Sequence, residues 1–226
     1  MNLKKYITTK IVLKTKKIIF FDGDGTLWYP IKTKYTEKPH WLYKDKSIKN
    51  HHEHLMVIPT VESTLRKLKK VGVLTVVLST HPHEIDEAYK IIDKKVKHFN
   101  LKELFTEVHA TREYHESKGE YIVEILKKLN IPKTQALMIG DNYAWDYKPA
   151  RDIGVDALLM QSDYMKKDKR LKTIKKLSDL FDYIKSAKVS IPMRRKGLSF
   201  VAESRLKNVT KKLTHNQVRS VVAKRK

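Results

Sequence analysis

Two carboxylates, Asp22 and Asp24, directly follow the apolar run Ile18–Phe21. On an extended chain, side chains two positions apart point in the same direction, so both acids would face the same space beyond the run. One carboxylate can attack phosphorus to form an acyl phosphate, and a second can carry the proton that the leaving group needs. The pair therefore suits phosphoryl transfer, with a plain acidic turn as the alternative interpretation.

Other polar residues with matching chemistry follow later apolar runs. The Ser79-Thr80 pair ends one run, and Asp141 follows another, with Asp146 further on. Lys118 begins a helical pattern that precedes the Asp141 run. Carboxylate oxygens are ligands for Mg²⁺, whereas a hydroxyl and an ammonium group can hold the oxygens of a phosphoryl group. Taken singly, each of these residues is equally typical of a strand end, a turn or a solvated helix.

Short apolar runs alternate with helical patterns along the chain, which predicts the elements that position these side chains. Strands are predicted at 18–21, 73–78, 104–108, 136–139 and 157–160. Helices are predicted where apolar residues recur at helical spacing from Val61, Ile85, Ile122 and Leu177. Because the strands are almost wholly apolar and alternate with helices, we expect one parallel sheet covered on both faces. Ligands bind beyond the carboxyl ends of such strands, which is where the acidic residues lie.

The same residues resemble the four motifs of the haloacid dehalogenase superfamily, in order and in spacing. IIFFDGDGTLW resembles the first motif, Asp-x-Asp-x-Thr after an apolar strand, and VVLS ending at Ser79 resembles the second. Lys118 is similar to the third motif, and IGDNYAWD, ending at Asp146, to the fourth. The resemblance covers roughly residues 16–162. It implies a Rossmann-like α/β fold, a three-layer sandwich around a central parallel sheet of five strands.

The resemblance also implies a role for each motif residue. Asp22 is the expected nucleophile and Asp24 the expected general acid/base. Mg²⁺ is the expected cofactor, with its ligands being the Asp22 carboxylate, the Asp24 backbone carbonyl and Asp141. Phosphate binding is expected from Ser79, Thr80 and Lys118. Supporting roles are expected from Thr26, Asn142 and Asp146.

The second acid indicates a branch of the superfamily. A carboxylate at position 24 favours phosphatases and phosphomutases, because an alkoxide leaving group needs a proton. The stretch Thr26–Pro30 and the segments STHPHEI and SKGEYIVEILKKLNI resemble the magnesium-dependent phosphatase-1 group, although Gly-Asp-Asn replaces its Asp-Asp pair. That group is capless or has a minimal cap, which implies an open site for a small-molecule or macromolecular phosphate. A phosphomutase is the weaker alternative, because those enzymes usually carry a cap that excludes water.

Residues 29–58 form an insertion after the first strand that is rich in histidine and aromatic residues. We expect a polar flap there rather than a second metal site, although His52 and His54 could bind a transition metal. His81 and His83 follow the Ser79-Thr80 pair and are expected to be ordinary helix-start residues at the rim, with substrate contact as the alternative.

Composition limits the class of protein. The chain has 226 residues, a formal net charge of +23 and no cysteine, which excludes disulfides, thiolate zinc sites and a cysteine nucleophile. The first apolar run is too short for a signal sequence or a membrane span. We therefore expect a cytoplasmic protein without a transmembrane segment.

We divide the chain into a phosphatase domain, residues 1–186, and a basic C-terminal tail, residues 187–226. The tail holds 12 lysines and arginines against one acidic residue, and its apolar residues have an imperfect helical spacing. Such a basic helical extension can bind nucleic acid, an anionic membrane or a protein. The main prediction is a Mg²⁺-dependent phosphomonoester hydrolase. The alternative is a nucleic-acid-binding protein, including a phosphatase of nucleic-acid ends, that uses the tail.

Overall fold

A computed structural model describes residues 16–112, 116–165 and 168–186, and all elements below lie in these ranges. The strands are β1 (Ile18–Phe21), β2 (Trp28–Pro30), β3 (Leu55–Val57), β4 (Leu74–His81), β5 (Glu107–Arg112), β6 (Ala136–Gly140), β7 (Asp156–Met160) and β8 (Thr173–Ile174). The helices are α1 (Trp41–Lys44), α2 (Val61–Lys70), α3 (Ile85–His98), α4 (Lys118–Lys128), α5 (Lys148–Asp152) and α6 (Leu180–Ser186). The tail from residue 187 lies outside the described residues, so its helix and the boundary at 186 stay predictions.

Six of the strands form one parallel sheet in the order β5-β4-β1-β6-β7-β8. β1 lies in the middle, with Ile18 opposite Leu74 of β4 on one side and Ala136 of β6 on the other. The chain moves outward from β1 to β5 and then crosses back to β6. The carboxyl end of β1 therefore lies where the strand order reverses, which is the usual place of a ligand crevice. The predicted parallel α/β fold is confirmed.

Both faces of the sheet are covered, which explains why β1 has no polar residue. Ile18 and Phe20 pack with apolar residues of α4 and α5 on one face. Ile19 and Phe21 pack with apolar residues of α2, α3 and α6 on the other. All four side chains are completely buried, because successive residues of a strand point to opposite faces.

The sheet has one strand more than the five predicted. The sixth, β8, contains two residues, which is too short to show any periodicity, and it pairs with β7. β4 continues to His81, so the Ser79-Thr80 pair lies within the last part of the strand. The strand predicted at 104–108 is displaced, because a 3₁₀ turn ends at Leu104 and β5 begins at Glu107.

The insertion is enclosed by a second, smaller sheet. β2 and β3 pair antiparallel, with Trp28 opposite Val57 and Pro30 opposite Leu55. Between them the chain forms α1 and the 3₁₀ turn His51–His54. None of the helices in the described ranges has the length and apolar character that a bilayer span requires.

The burial of β1 predicts that alanine substitutions at two isoleucines will change the stability of the protein by very different amounts. Ile19 is fully buried, whereas Ile31 in the insertion is 51% exposed. We expect Ile19→Ala to lower the free energy of unfolding by about 2–5 kcal/mol, because it leaves a cavity between sheet and helices. The matched control, Ile31→Ala, should stay within about 0.5 kcal/mol of the wild type in urea denaturation. Equal losses for both variants would contradict the placement of β1 at the centre of the sheet.

Candidate active site

The predicted site residues come together at the carboxyl ends of three neighbouring strands. Asp22 directly follows β1, Ser79 lies near the end of β4, and Asp141 directly follows β6. The N–H of Asp22 donates to the carbonyl of Ile139 at 2.9 Å, so the sheet hydrogen bonding extends to Asp22 itself. Because β4 and β6 flank β1, these side chains reach the same crevice.

Lys118 joins two of the carboxylates. Its Nζ donates to Oδ1 of Asp22 and to Oδ1 of Asp146, each at 2.5 Å. It is the first residue of α4, where the Ser117 side chain caps the helix by accepting from the N–H of Gly119. Burial acts to lower the pKa of Lys118, but Asp146 and Asp22 outweigh it and the pKa is raised. Lys118 therefore stays charged beside Asp22.

The chain after β6 turns Asp146 back toward the sheet. The Asn142 side chain caps the π-helical segment Tyr143–Tyr147 by accepting from two backbone N–H groups at 2.9 and 3.3 Å. The N–H of Asn142 donates to Oδ2 of Asp146 at 2.9 Å. Asp146 thus accepts from the backbone with one oxygen and from Lys118 with the other, which fixes the lysine as well.

Asp22, Asp141 and Asp146 form an acidic cluster whose ligand oxygens lie within 4.8 Å of one another. Burial, opposed by Lys118 and reinforced by Asp146, raises the pKa of Asp22 to about 7. Burial and the neighbouring carboxylates raise the pKa of Asp141 well above its usual range. Three buried carboxylates thus lie around one ammonium group, and two of them hold their protons more firmly than a free aspartate does. A cation beside them would favour the ionised carboxylates, and oxygen donors of this kind fit Mg²⁺.

The carboxylate of Asp24 lies in a different environment. Its Oδ1 accepts from Trp28 Nε1 at 2.8 Å, and its Oδ2 accepts from the Tyr43 hydroxyl at 2.5 Å. Lys95 Nζ lies 3.1 Å from Oδ1 and 3.0 Å from Oδ2. Burial acts to raise the pKa of Asp24, but Lys95 and then Tyr43 outweigh it, so the pKa is lowered. The two aspartates of the first motif are therefore shifted in opposite directions.

The hydroxyl residues of the motifs are buried around the same crevice. Ser79 is 1% exposed, and a methyl group placed on Gly23 would lie 2.8 Å from its Oγ, so it lies against the Asp22–Asp24 loop. The Thr80 and Thr111 hydroxyls share a hydrogen bond of 2.8 Å between β4 and β5. The Thr26 hydroxyl is buried without a hydrogen-bond partner among the described residues, while its N–H donates to the carbonyl of Gly23.

The insertion forms one wall of the cleft over these residues. On the sheet side the cleft is lined by Asp22, Asp24, Thr80, Pro82, Asp141, Asn142 and Trp145. The insertion contributes Lys38, Pro39, His40 and Tyr43. The rings of His40 and Trp145 are 5.0 Å apart, so the insertion reaches the segment after β6. The insertion therefore narrows the cleft on one side.

Among the described residues, the histidines of the insertion and of the end of β4 form no compact set of three metal ligands. Within the described ranges, the acidic cluster is the set of three His, Asp or Glu side chains whose ligand atoms approach within 4.8 Å. His52 packs against His98 at 4.7 Å between ring centroids. His81 is buried at the end of β4, with its Nδ1 2.8 Å from Nδ1 of His83 and its ring 4.5 Å from Tyr43.

Sequence reasoning missed four residues that contact the motif aspartates. Trp28, Tyr43 and Lys95 bind Asp24, and the Tyr164 hydroxyl donates to Oδ2 of Asp141 at 2.5 Å. One signal for Lys95 was present, because it falls on the buried stripe of α3 formed by Ala88, Ile92 and Val96. The predicted stripe was Ile85, Ala88, Tyr89 and Ile92. Ala88 and Ile92 are fully buried, whereas Ile85 and Tyr89 are 37% and 46% exposed, so the buried face of the helix is rotated relative to the prediction.

Comparison with known families and proteins gives two matches along the sequence. Residues 14–160, more than half of the chain, match the family described as haloacid dehalogenase-like hydrolase. A stretch of 121 residues is 26% identical to a provisionally named pyrophosphatase, PpaX, of Caldanaerobacter subterraneus. That match covers 53% of this chain and 52% of the other protein, so the chain spans about half the length of this relative.

Solved structures share the fold. A haloacid dehalogenase-like family hydrolase from Xanthomonas campestris aligns with a TM-score of 0.56 and 14% identity over 75% of this chain and 95% of its own. A predicted phosphoglycolate phosphatase from Haemophilus somnus 129pt has the same TM-score, identity and coverage of this chain, over 98% of its own. A HAD phosphatase from Thermococcus onnurineus gives 0.55 and 16%, over 74% and 97% of the two chains.

Close packing at Gly140 predicts an effect on cation binding. A methyl group at position 140 would lie 2.2 Å from the Asp146 carboxyl carbon, so Gly140→Ala must displace Asp146 from Lys118. We expect Mg²⁺ to bind about 10–100-fold more weakly, as measured by isothermal titration calorimetry. Gly154→Ala is the control, because its methyl meets no atom within 4 Å, although φ of +82° carries backbone strain. It should lose stability and keep its Mg²⁺ affinity, and unchanged affinity in folded Gly140→Ala would contradict the packing.

Burial of His81 predicts a loss of stability in acid. Burial, reinforced by Lys95 and His83 and opposed by Asp24, lowers the pKa of His81 to about 3. The unfolded chain takes up this proton below about pH 6.5 and the folded chain only near 3, so stability falls as the pH drops through that window, by up to about 1.4 kcal/mol per unit. Urea denaturation at pH 7 and pH 5 should show a smaller loss for His81→Asn than for the wild type. An identical pH dependence in both proteins would show that His81 is not held neutral.

Proposed function

The chain belongs to the haloacid dehalogenase-like hydrolases, and on that basis we propose that it is a Mg²⁺-dependent phosphatase that forms an aspartyl phosphate on Asp22. The observation that carries the proposal is the position of Asp22. Its carboxylate is buried at the strand crossover, contacts Lys118 at 2.5 Å and belongs to the acidic cluster. A second carboxylate, Asp24, lines the same cleft. This is the arrangement that a nucleophile and a separate acid/base need.

In the first step, a carboxylate oxygen of Asp22 attacks phosphorus, and the bond from phosphorus to the leaving-group oxygen breaks. The negative charge of the bound phosphate ester favours the protonated form of Asp24. The Asp24 carboxyl then gives this proton to the leaving-group oxygen, so the substrate departs as an alcohol. In the second step, Asp24 takes a proton from water, the water oxygen attacks phosphorus, and the bond to Asp22 breaks. Inorganic phosphate is released and both aspartates return to their starting states.

The other motif residues hold the phosphoryl group and the cation. Lys118 places positive charge beside Asp22, and the hydroxyls of Ser79 and Thr80 lie along the adjacent strand end. Mg²⁺ would be held by the Asp22 and Asp141 carboxylates and the backbone carbonyl of Asp24, with Asp146 close by. When bound, it supplies positive charge that neutralises the phosphoryl oxygens. The Asp24 side chain is not one of the predicted metal ligands, because its predicted contribution to the metal is through the backbone carbonyl.

The substrate is proposed as a phosphate monoester, of a small molecule or a macromolecule. The insertion wall narrows the cleft, and Lys38 on that wall is a cation suited to an anionic group of the substrate. The name of the PpaX relative adds a phosphoanhydride as a second substrate to assay. Membership of the magnesium-dependent phosphatase-1 group and a cytoplasmic location stay predictions, as does nucleic-acid binding by the tail.

Hydrolysis of p-nitrophenyl phosphate tests the proposal directly. We expect turnover with Mg²⁺, none with excess EDTA, and a loss of about a thousand-fold or more in kcat for Asp22→Asn, because the amide is not a nucleophile. Asp152→Asn is the matched control, since Asp152 is exposed and pairs only with Lys148 among the described residues. Trapping of ³²P-labelled protein from wild type but not from Asp22→Asn would identify the covalent step. Turnover that survives Asp22→Asn would refute the proposed nucleophile.

A further inference from the structure

A buried lysine on α3 contacts the second motif aspartate. Lys95 is 1% exposed, and its Nζ lies 3.1 and 3.0 Å from the two oxygens of Asp24. The same ammonium donates to the Tyr43 hydroxyl and lies 5.6 Å from the centre of the Trp28 ring. No motif of the sequence accounts for this residue.

Packing alone does not explain a lysine at this position. The neighbours of Lys95 on the buried stripe of α3 are Ala88, Ile92 and Val96, and an apolar side chain would fill the same space. Taking an ammonium out of water is costly, and replacing a buried ion pair by apolar residues is often neutral or stabilising. The position of Lys95 therefore points to Asp24, whose charge it balances.

The hydrogen bonds to Asp24 leave its carboxylate little freedom. Oδ1 accepts from Trp28 Nε1 and Lys95, while Oδ2 accepts from Tyr43 and Lys95. A carboxylate has about four lone-pair sites, so these four contacts fill them. Trp28 and Lys95 are buried parts of the main domain, whereas Tyr43 belongs to the insertion and lines the cleft. A leaving-group oxygen can thus replace only the Tyr43 hydroxyl without disturbing the core.

We propose that Lys95 is a positioning residue, which together with Trp28 holds the Asp24 carboxylate facing the cleft so that it meets the leaving-group oxygen of the substrate. The inference rests on the proposed function, because it assumes that Asp24 transfers the proton. Lys95 itself does not line the cleft, and it acts through Asp24. Lys95 contacts both carboxylate oxygens of Asp24 and so fixes the orientation of this group, whereas Trp28 contacts only one oxygen.

The test compares Lys95→Met with Asp24→Asn and the double variant. Methionine has a similar length without charge, and the matched control is Lys94→Met, since Lys94 is exposed on the same helix and contacts Asn50. We expect Lys95→Met to lower kcat about 10–100-fold with little change in KM, and Lys94→Met to have no effect. The loss should be larger for glycerol 2-phosphate than for p-nitrophenyl phosphate, because nitrophenolate leaves without a proton. A lysine with a merely structural role would lower kcat equally for both substrates.

The double variant decides whether Lys95 acts through Asp24. In the Asp24→Asn background, Lys95→Met should change kcat for p-nitrophenyl phosphate by less than about two-fold, because the group that Lys95 positions is already absent. If Lys95→Met alone does not fold, the double variant still gives this comparison, since it leaves no unpaired buried charge. A further large loss in the double variant would overturn the inference. Absence of any Mg²⁺-dependent turnover in the wild type would instead overturn the proposed function and this inference with it.

Discussion

The rest of the site depends on the ion pairs that the Lys118 ammonium group forms with Asp22 and Asp146. Without it, three buried carboxylates would face one another with no compensating charge, and folding would protonate or separate them. The surrounding structure serves this contact. The cap at Ser117 begins α4 at Lys118, and the π-helical segment after β6 returns Asp146 to the sheet. A cation bound in the crevice would supply the positive charge that Lys118 alone does not provide.

Each aspartate of the first motif is paired with a different lysine, and the pKa values of the two carboxylates are shifted in opposite directions. Burial, together with the neighbouring Asp146, outweighs Lys118 and raises the pKa of Asp22 to about 7 in the protein without a cation. Asp24 is paired with Lys95 away from that cluster, so its pKa is lowered. A cation beside Asp22 would return it to the ionised form that a nucleophile needs. The insertion contributes to the environment of Asp24, because the Tyr43 hydroxyl donates a hydrogen bond to its carboxylate.

The fold and the gathering of Asp22, Ser79, Lys118 and Asp141 could be predicted because they depend on local pattern. Apolar runs define the strands, and the carboxyl ends of parallel strands share one edge of the sheet. The chemical roles of these residues stay predictions. The contact between Lys95 and Asp24 could not be predicted, because Lys95 belongs to none of the motifs and its position depends on the rotation of α3. The sixth strand could not be predicted for another reason, because its two residues are too few to show a periodic pattern.

The positions of the tryptophans connect the intrinsic fluorescence of the protein to the site. The sequence has three, at positions 28, 41 and 145. Trp28 donates to Asp24, Trp145 lines the cleft, and Trp41 begins α1 in the insertion, where its Nε1 donates to the Thr33 hydroxyl. All the intrinsic tryptophan emission therefore originates from the site and from the insertion that forms its wall. The unmodified protein carries its own fluorescent reporter of ligand binding and of movement of the insertion, with no background from indoles elsewhere in the chain.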